Sequence, residues 1–145
     1  MRNQKIKIME DKLWLRSLFI GLLLLVTISA NAQTFYCSDM ILSSSYYSFD
    51  EIQRRKNTGL GSKATLKFYD RAVRFSVLNT TESAIFDMVS ETRYEFNKTI
   101  SKKKGQKIMC KSVLTLEKKR GIITSFTIKS YENNQLFSTI IFKQE

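Results

Sequence analysis

The stretch "ATLKFYDRAVRFSV", Ala64 to Val77, decides the fold class. Ala64, Leu66 and Phe68 alternate with Thr65, Lys67 and Tyr69, and after Asp70-Arg71 the rhythm resumes with Val73, Phe75 and Val77 against Arg74 and Ser76. A period of two sends alternate side chains to opposite faces of a strand. Two such runs parted by a short polar break make an antiparallel hairpin with one buried face.

The pattern extends toward the C-terminus. A polar break at Asn79 to Glu82 precedes Ser83 to Ser90, which suits either a strand or a turn or two of helix. Thr92 to Ile100 alternates aromatics with charge, and Lys107 to Glu117 sets Ile108, Cys110, Leu114 and Leu116 against Lys111, Thr115 and Glu117. Ile122 to Tyr131 and Leu136 to Lys143 complete the series, joined by Glu132-Asn133-Asn134. The connections are too short for crossover helices, so the expectation is a mainly β chain: an antiparallel meander of about 7 to 8 strands. The last strand, Thr139-Ile140-Ile141-Phe142, is too apolar for a bare edge, which favours closure into a small barrel or half-barrel. An outer-membrane barrel is the competitor, but eight tilted spans of about ten residues plus loops need more chain.

Toward the N-terminus, Thr34 to Leu42 reads as a strand of undetermined face. Ser43-Ser44-Ser45 breaks it, and Ser48-Phe49-Asp50-Glu51 then forms a capping box, with the Ser48 hydroxyl accepting from the Glu51 N–H while the Glu51 carboxylate reaches back. Tyr47 and Ile52 are placed for a hydrophobic staple. One short α-helix is expected from about Phe49 to Asn57, ended by Gly59 and Gly61.

The first sixteen residues carry Arg2, Lys5, Lys7, Lys12 and Arg16 against Glu10 and Asp11, ahead of an apolar run from Leu18 to Ile28. That run is shorter than the roughly 20 residues a membrane-spanning helix requires and matches the core of a secretory signal. Ala30-Asn31-Ala32 supplies the small residues of a cleavage site, so the cut is expected between Ala32 and Gln33, leaving 33–145 as one small β-rich domain with no stable membrane anchor. Cys37 follows Thr34-Phe35-Tyr36 rather than the small-residue box, which argues against a lipid anchor there. The expected destination is the periplasm or the exterior of a Gram-negative bacterium, whose small exported β proteins this junction and strand rhythm resemble.

Loss of 1–32 removes five of the 24 basic and two of the 13 acidic residues and leaves 113 residues with a net charge of +8. Trp14 leaves with the leader, so the remainder holds no Trp, no His and no Pro. Without histidine, the usual base near neutral pH and the commonest transition-metal ligand, triads and histidine-built zinc or haem sites are excluded. No metal and no cofactor is expected. Cys37 and Cys110 are the only cysteines. Export would allow them to pair, a cross-link stabilising by about 4 kcal/mol in the chain-entropy treatment; otherwise each is a small buried hydrophobe on its own strand.

Three basic clusters stand out: Arg54-Arg55-Lys56, Lys102-Lys103-Lys104 and Lys118-Lys119-Arg120. Consecutive meander turns lie at opposite ends of a sheet, so the latter two face apart and carry no interleaved aromatics, which argues against nucleic acid. Lys102, Lys103, Lys104 and the loop tyrosines Tyr46 and Tyr47 are the candidates for partner contact. The carboxylates Asp50, Glu51, Asp87, Glu91 and Glu95 show no pairing suited to hydrolysis. The expected function is an exported, non-enzymatic binding or accessory module of the cell envelope, for a protein, a glycan or a small apolar ligand. The alternative is a small secreted hydrolase or inhibitor-like domain working through carboxylates.

Overall fold

The computed structural model describes residues 32–101 and 105–145. Along the chain it has β1 (Ala32–Leu42), α1 (Phe49–Gly59), β2 (Lys63–Phe68), β3 (Ala72–Val77) and β4 (Ser83–Ser90). There follow β5 (Arg93–Ser101), β6 (Lys107–Lys119), β7 (Ile122–Glu132) and β8 (Gln135–Gln144). Each strand neighbours the next, and β8 pairs antiparallel with β1, so the meander closes into an eight-stranded barrel. Ser83–Ser90, ambiguous in sequence, is a strand.

Local chemistry sets the joints. Asn133 and Asn134 both take positive φ, 47° and 66°, the requirement of a two-residue hairpin turn, and Arg120 and Gly121 do the same between β6 and β7 at 53° and 78°. Ser48 caps α1 by accepting from the Glu51 N–H at 3.3 Å. The other half of the expected capping box is corrected: the Glu51 carboxylate accepts instead from Arg55, 3.0 Å from Nη2. The helix continues two residues past the expected end, to Gly59, and Gly61 takes the left-handed conformation with φ of 79°.

Registers stack the inward side chains in rows. Leu116, Phe126, Phe142 and Cys37 face one another across β6, β7, β8 and β1. The adjacent row, Met88–Tyr94–Leu114–Ile128–Ile140–Met40, crosses six strands and is wholly apolar apart from the Tyr94 hydroxyl. Phe126 is fully buried, stacks on Phe142 at 4.6 Å and meets Phe35 edge-on at 5.0 Å, while Phe75 reaches it from β3 at 6.0 Å. These rings fill the interior at one level of the barrel. The outward positions carry Lys67, Arg74, Glu95, Lys111, Lys129 and Lys143, an apolar-in, polar-out arrangement that reverses the spanning barrel.

A bulge at Ser38 explains why β1 shows no single buried face in sequence. Cys37 opposes Phe142 and Asp39 opposes Ile141, so Ser38 is the extra residue, and its hydroxyl donates to the Ile141 carbonyl at 3.2 Å. Phe35 and Cys37 point inward before it, Met40 and Leu42 after it.

The disulfide considered above is also corrected. Cys37 and Cys110 are free thiols. Strands β7 and β8 stand between β1 and β6, and three strand spacings of about 4.8 Å carry their backbones well beyond the roughly 7 Å that a bridge tolerates. The leader and its cut site fall on 1–31 and the edge of Ala32, and Lys102, Lys103 and Lys104 likewise lie outside the described residues.

Candidate functional site: a cavity beneath the helix

At the end of the barrel that α1 covers, the interior is open. The turn leading into β2 meets β1 at Cys37, whose N–H donates to the Ser62 carbonyl at 2.8 Å and whose own carbonyl accepts from Gly61 at 2.9 Å. Further along β1, the Met40 N–H is satisfied at 2.8 Å by the carboxylate of Asp39. Strands β2 and β3 are only six residues long, and α1 leads into β2 at this end of the barrel.

The result is a cavity of about 770 Å³. Phe75, Val77, Met40, Ile140 and Phe142 form its apolar walls, and Ser138 contributes a hydroxyl. Tyr47, Arg55, Thr58 and Gly59 border it on the helix side, the last three sharing one helix face by their spacing. At Gly59 the helix comes close to β1: a Cβ there would meet the terminal methyl of Met40, the flexible end of a side chain that can move aside. The volume lies within the range that encloses a small organic ligand.

The lid is lightly held. No residue of α1 is buried, and Phe49 is 74% exposed. Its anchors are in the preceding loop: the Tyr46 hydroxyl donates to Gln135 Oε1 at 3.2 Å, and the Tyr46 and Tyr47 rings lie 5.5 and 6.3 Å from that of Phe137 on β8. The Arg55 guanidinium sits 4.5 Å from the Tyr47 ring centre while bonded to Glu51. Of the two tyrosines singled out in the sequence, Tyr47 therefore lines the cavity and Tyr46 tethers its lid.

Charge stays at the rim. Arg55 is paired with Glu51 and Lys63 with the Glu145 carboxylate, and Glu82 is the sole carboxylate among the cavity-lining residues. The remaining carboxylates are dispersed. Glu95 lies on the outer wall between Lys111 and Arg93, at 2.9 and 2.8 Å, and those hydrogen bonds, Lys111 first, hold its carboxyl below the usual range. Asp87 faces outward on β4, and Glu117 accepts from Ser125 Oγ at 2.6 Å. Among the described residues no three potential metal ligands gather. Burial pushes the Cys37 thiol up, opposed by a hydrogen bond from its sulfur to the Asp39 carbonyl.

Ser138 is a cavity-lining residue that sequence reading missed. It sits in an apolar run, and its spacing of two from Ile140, continued to Phe142, was the one available sign that it faces inward. No protein-family model, curated protein or solved structure matches this chain.

Proposed function

We propose that the protein is an exported, non-catalytic binding module of the cell envelope that takes a small apolar molecule into the cavity beneath α1. The observation that carries this reading is the cavity itself: about 770 Å³, apolar within, under a helix that buries none of its residues. A barrel interior normally fills with side chains at native density, and a void of this size forfeits packing contacts that a ligand would restore. Mainly apolar walls, with both lining cations engaged and Glu82 the single lining carboxylate, suit desolvation of an apolar body better than bond-breaking chemistry. The export half of the proposal rests on the leader sequence; a cut after Ala32 leaves Phe35, the first core residue of β1, within the mature chain.

The test is titration of the purified protein with N-phenyl-1-naphthylamine, an uncharged dye whose emission rises in apolar surroundings. Saturable one-to-one binding is expected, abolished by Val77→Trp, which fills the cavity from the end of β3. Absence of binding, or binding that V77W leaves intact, contradicts the reading. N-terminal sequencing of the exported form should begin at Gln33; a retained leader contradicts the export half.

A further inference from the structure

We propose that the cavity recognises a neutral amphiphile whose buried oxygen, a hydroxyl, ester or ketone, hydrogen-bonds to Ser138 while its apolar body lies against Ile140, Met40 and Phe75; this rests on the reading of the cavity as a ligand site. Register carries the argument. Phe96 opposes Ser112, Ser112 opposes Ser130, Ser130 opposes Ser138, and Ser138 opposes Leu42, so three adjacent strands present a serine apiece in one row. The neighbouring row contributes Leu114, Ile128, Ile140 and Met40 at the same strand positions. Hydroxyls thus replace the bulky residues that would otherwise fill the barrel at this level.

The three serines are not equivalent. Ser112 and Ser130 satisfy each other, their hydroxyl oxygens 3.0 Å apart. Ser138 lines the cavity, is 7% exposed, and its hydroxyl has no partner among the described residues. A hydroxyl that bonds no neighbouring side chain or backbone group can serve a guest, and this one borders the space a ligand would enter. A hydroxyl both donates and accepts, so it complements any neutral oxygen.

Charge decides against an ionised head at this depth. Neither row holds an ionisable acid or base apart from Tyr94, and the cations that line the cavity, Arg55 and Lys63, are already paired with Glu51 and Glu145. A carboxylate beside Ser138 would be buried without a free lining cation, and the single lining carboxylate, Glu82, lies in the turn between β3 and β4 rather than in either row.

The experiment is displacement of N-phenyl-1-naphthylamine at pH 7 by 1-decanol, decanoate and decylammonium, matched in chain length. Decanol should compete at least about tenfold more strongly than either ion. Ser138→Ala should weaken decanol about 3- to 10-fold, the worth of one hydrogen bond, once the variant's own dye affinity is used to convert displacement into a dissociation constant, and Ser138→Thr should restore it. Equal or tighter binding of an ion, or decanol affinity unmoved by S138A, overturns the proposal while leaving the cavity reading intact. Failure of the dye to bind wild-type protein overturns both. Should S138A not fold, the wild-type ranking of the three competitors decides alone.

Discussion

Replacing Ser138 with valine should make the barrel more stable and less able to bind. Ser138 is 7% exposed as a residue and its hydroxyl bonds to none of the described residues; a polar group desolvated without a partner costs up to about 1–3 kcal/mol. Valine exchanges that group for methyls facing Leu42 across β1 and Ser130 across β7, and each buried methyl-sized group contributes about 0.8 kcal/mol. The hydroxyl's access to the cavity relieves part of that cost, so the net gain is set at about 1–2 kcal/mol. For a barrel of this size that raises the melting midpoint by roughly 5–10 °C. Urea denaturation should show a higher midpoint at unchanged slope, and decanol affinity should fall in the same variant. A loss of 1 kcal/mol or more would refute the reasoning, because it would mean that the hydroxyl is satisfied or that the position has no room for a second methyl.

Other consequences test the packed part of the barrel and its surface. Phe126→Ala removes the ring that Phe35, Phe75 and Phe142 surround and should destabilise by about 3–5 kcal/mol in denaturant titration, with Phe126→Leu markedly milder; a cost under about 1.5 kcal/mol for F126A would mean that this level is not packed. Two thiols per chain should titrate after denaturation without reductant, and in the folded protein Cys37 should react slowly, since burial raises its pKa and depletes thiolate; a count of zero after denaturation would restore the disulfide. The Glu95 carboxyl, depressed by Lys111 and Arg93, contributes stability that is present above its unfolded pKa, near 4.3, and is lost as pH falls through its lower folded value. Glu95→Gln should therefore flatten the acid limb of the stability profile without altering dye binding, and an unchanged limb would contradict the ion pairs. Ser48→Ala should speed amide exchange in α1 while leaving that of β6 and β7 unchanged, because the cap stabilises a helix that the core does not hold.

The hairpin of β2 and β3 was legible because its alternation is unbroken and its outward residues are polar. Strand β4 was not, since Ile85 and Val89 face solvent opposite the inward Ala84, Phe86 and Met88, leaving both faces apolar. The phase of β1 was hidden by Ser38, for a bulge inverts a period of two without marking the sequence. The helix cap was legible in Ser48, but the choice of Glu51 between its own backbone and Arg55 depends on a side-chain competition no motif encodes. The cavity was beyond sequence reading altogether. Its lining comes from β1, α1, β3 and β8, and the serine row exists only once three strand registers align Ser112, Ser130 and Ser138.

The most direct test of the central claim uses the three methionines of the barrel as reporters. Met40 lines the cavity, Met88 faces the interior on β4, and Met109 is exposed on the outer wall of β6. In a methyl-labelled sample titrated with N-phenyl-1-naphthylamine, the Met40 methyl signal should move saturably to a one-to-one end point while Met109 stays fixed. A shift at Met109 with Met40 unmoved would place the dye on the surface and contradict the account.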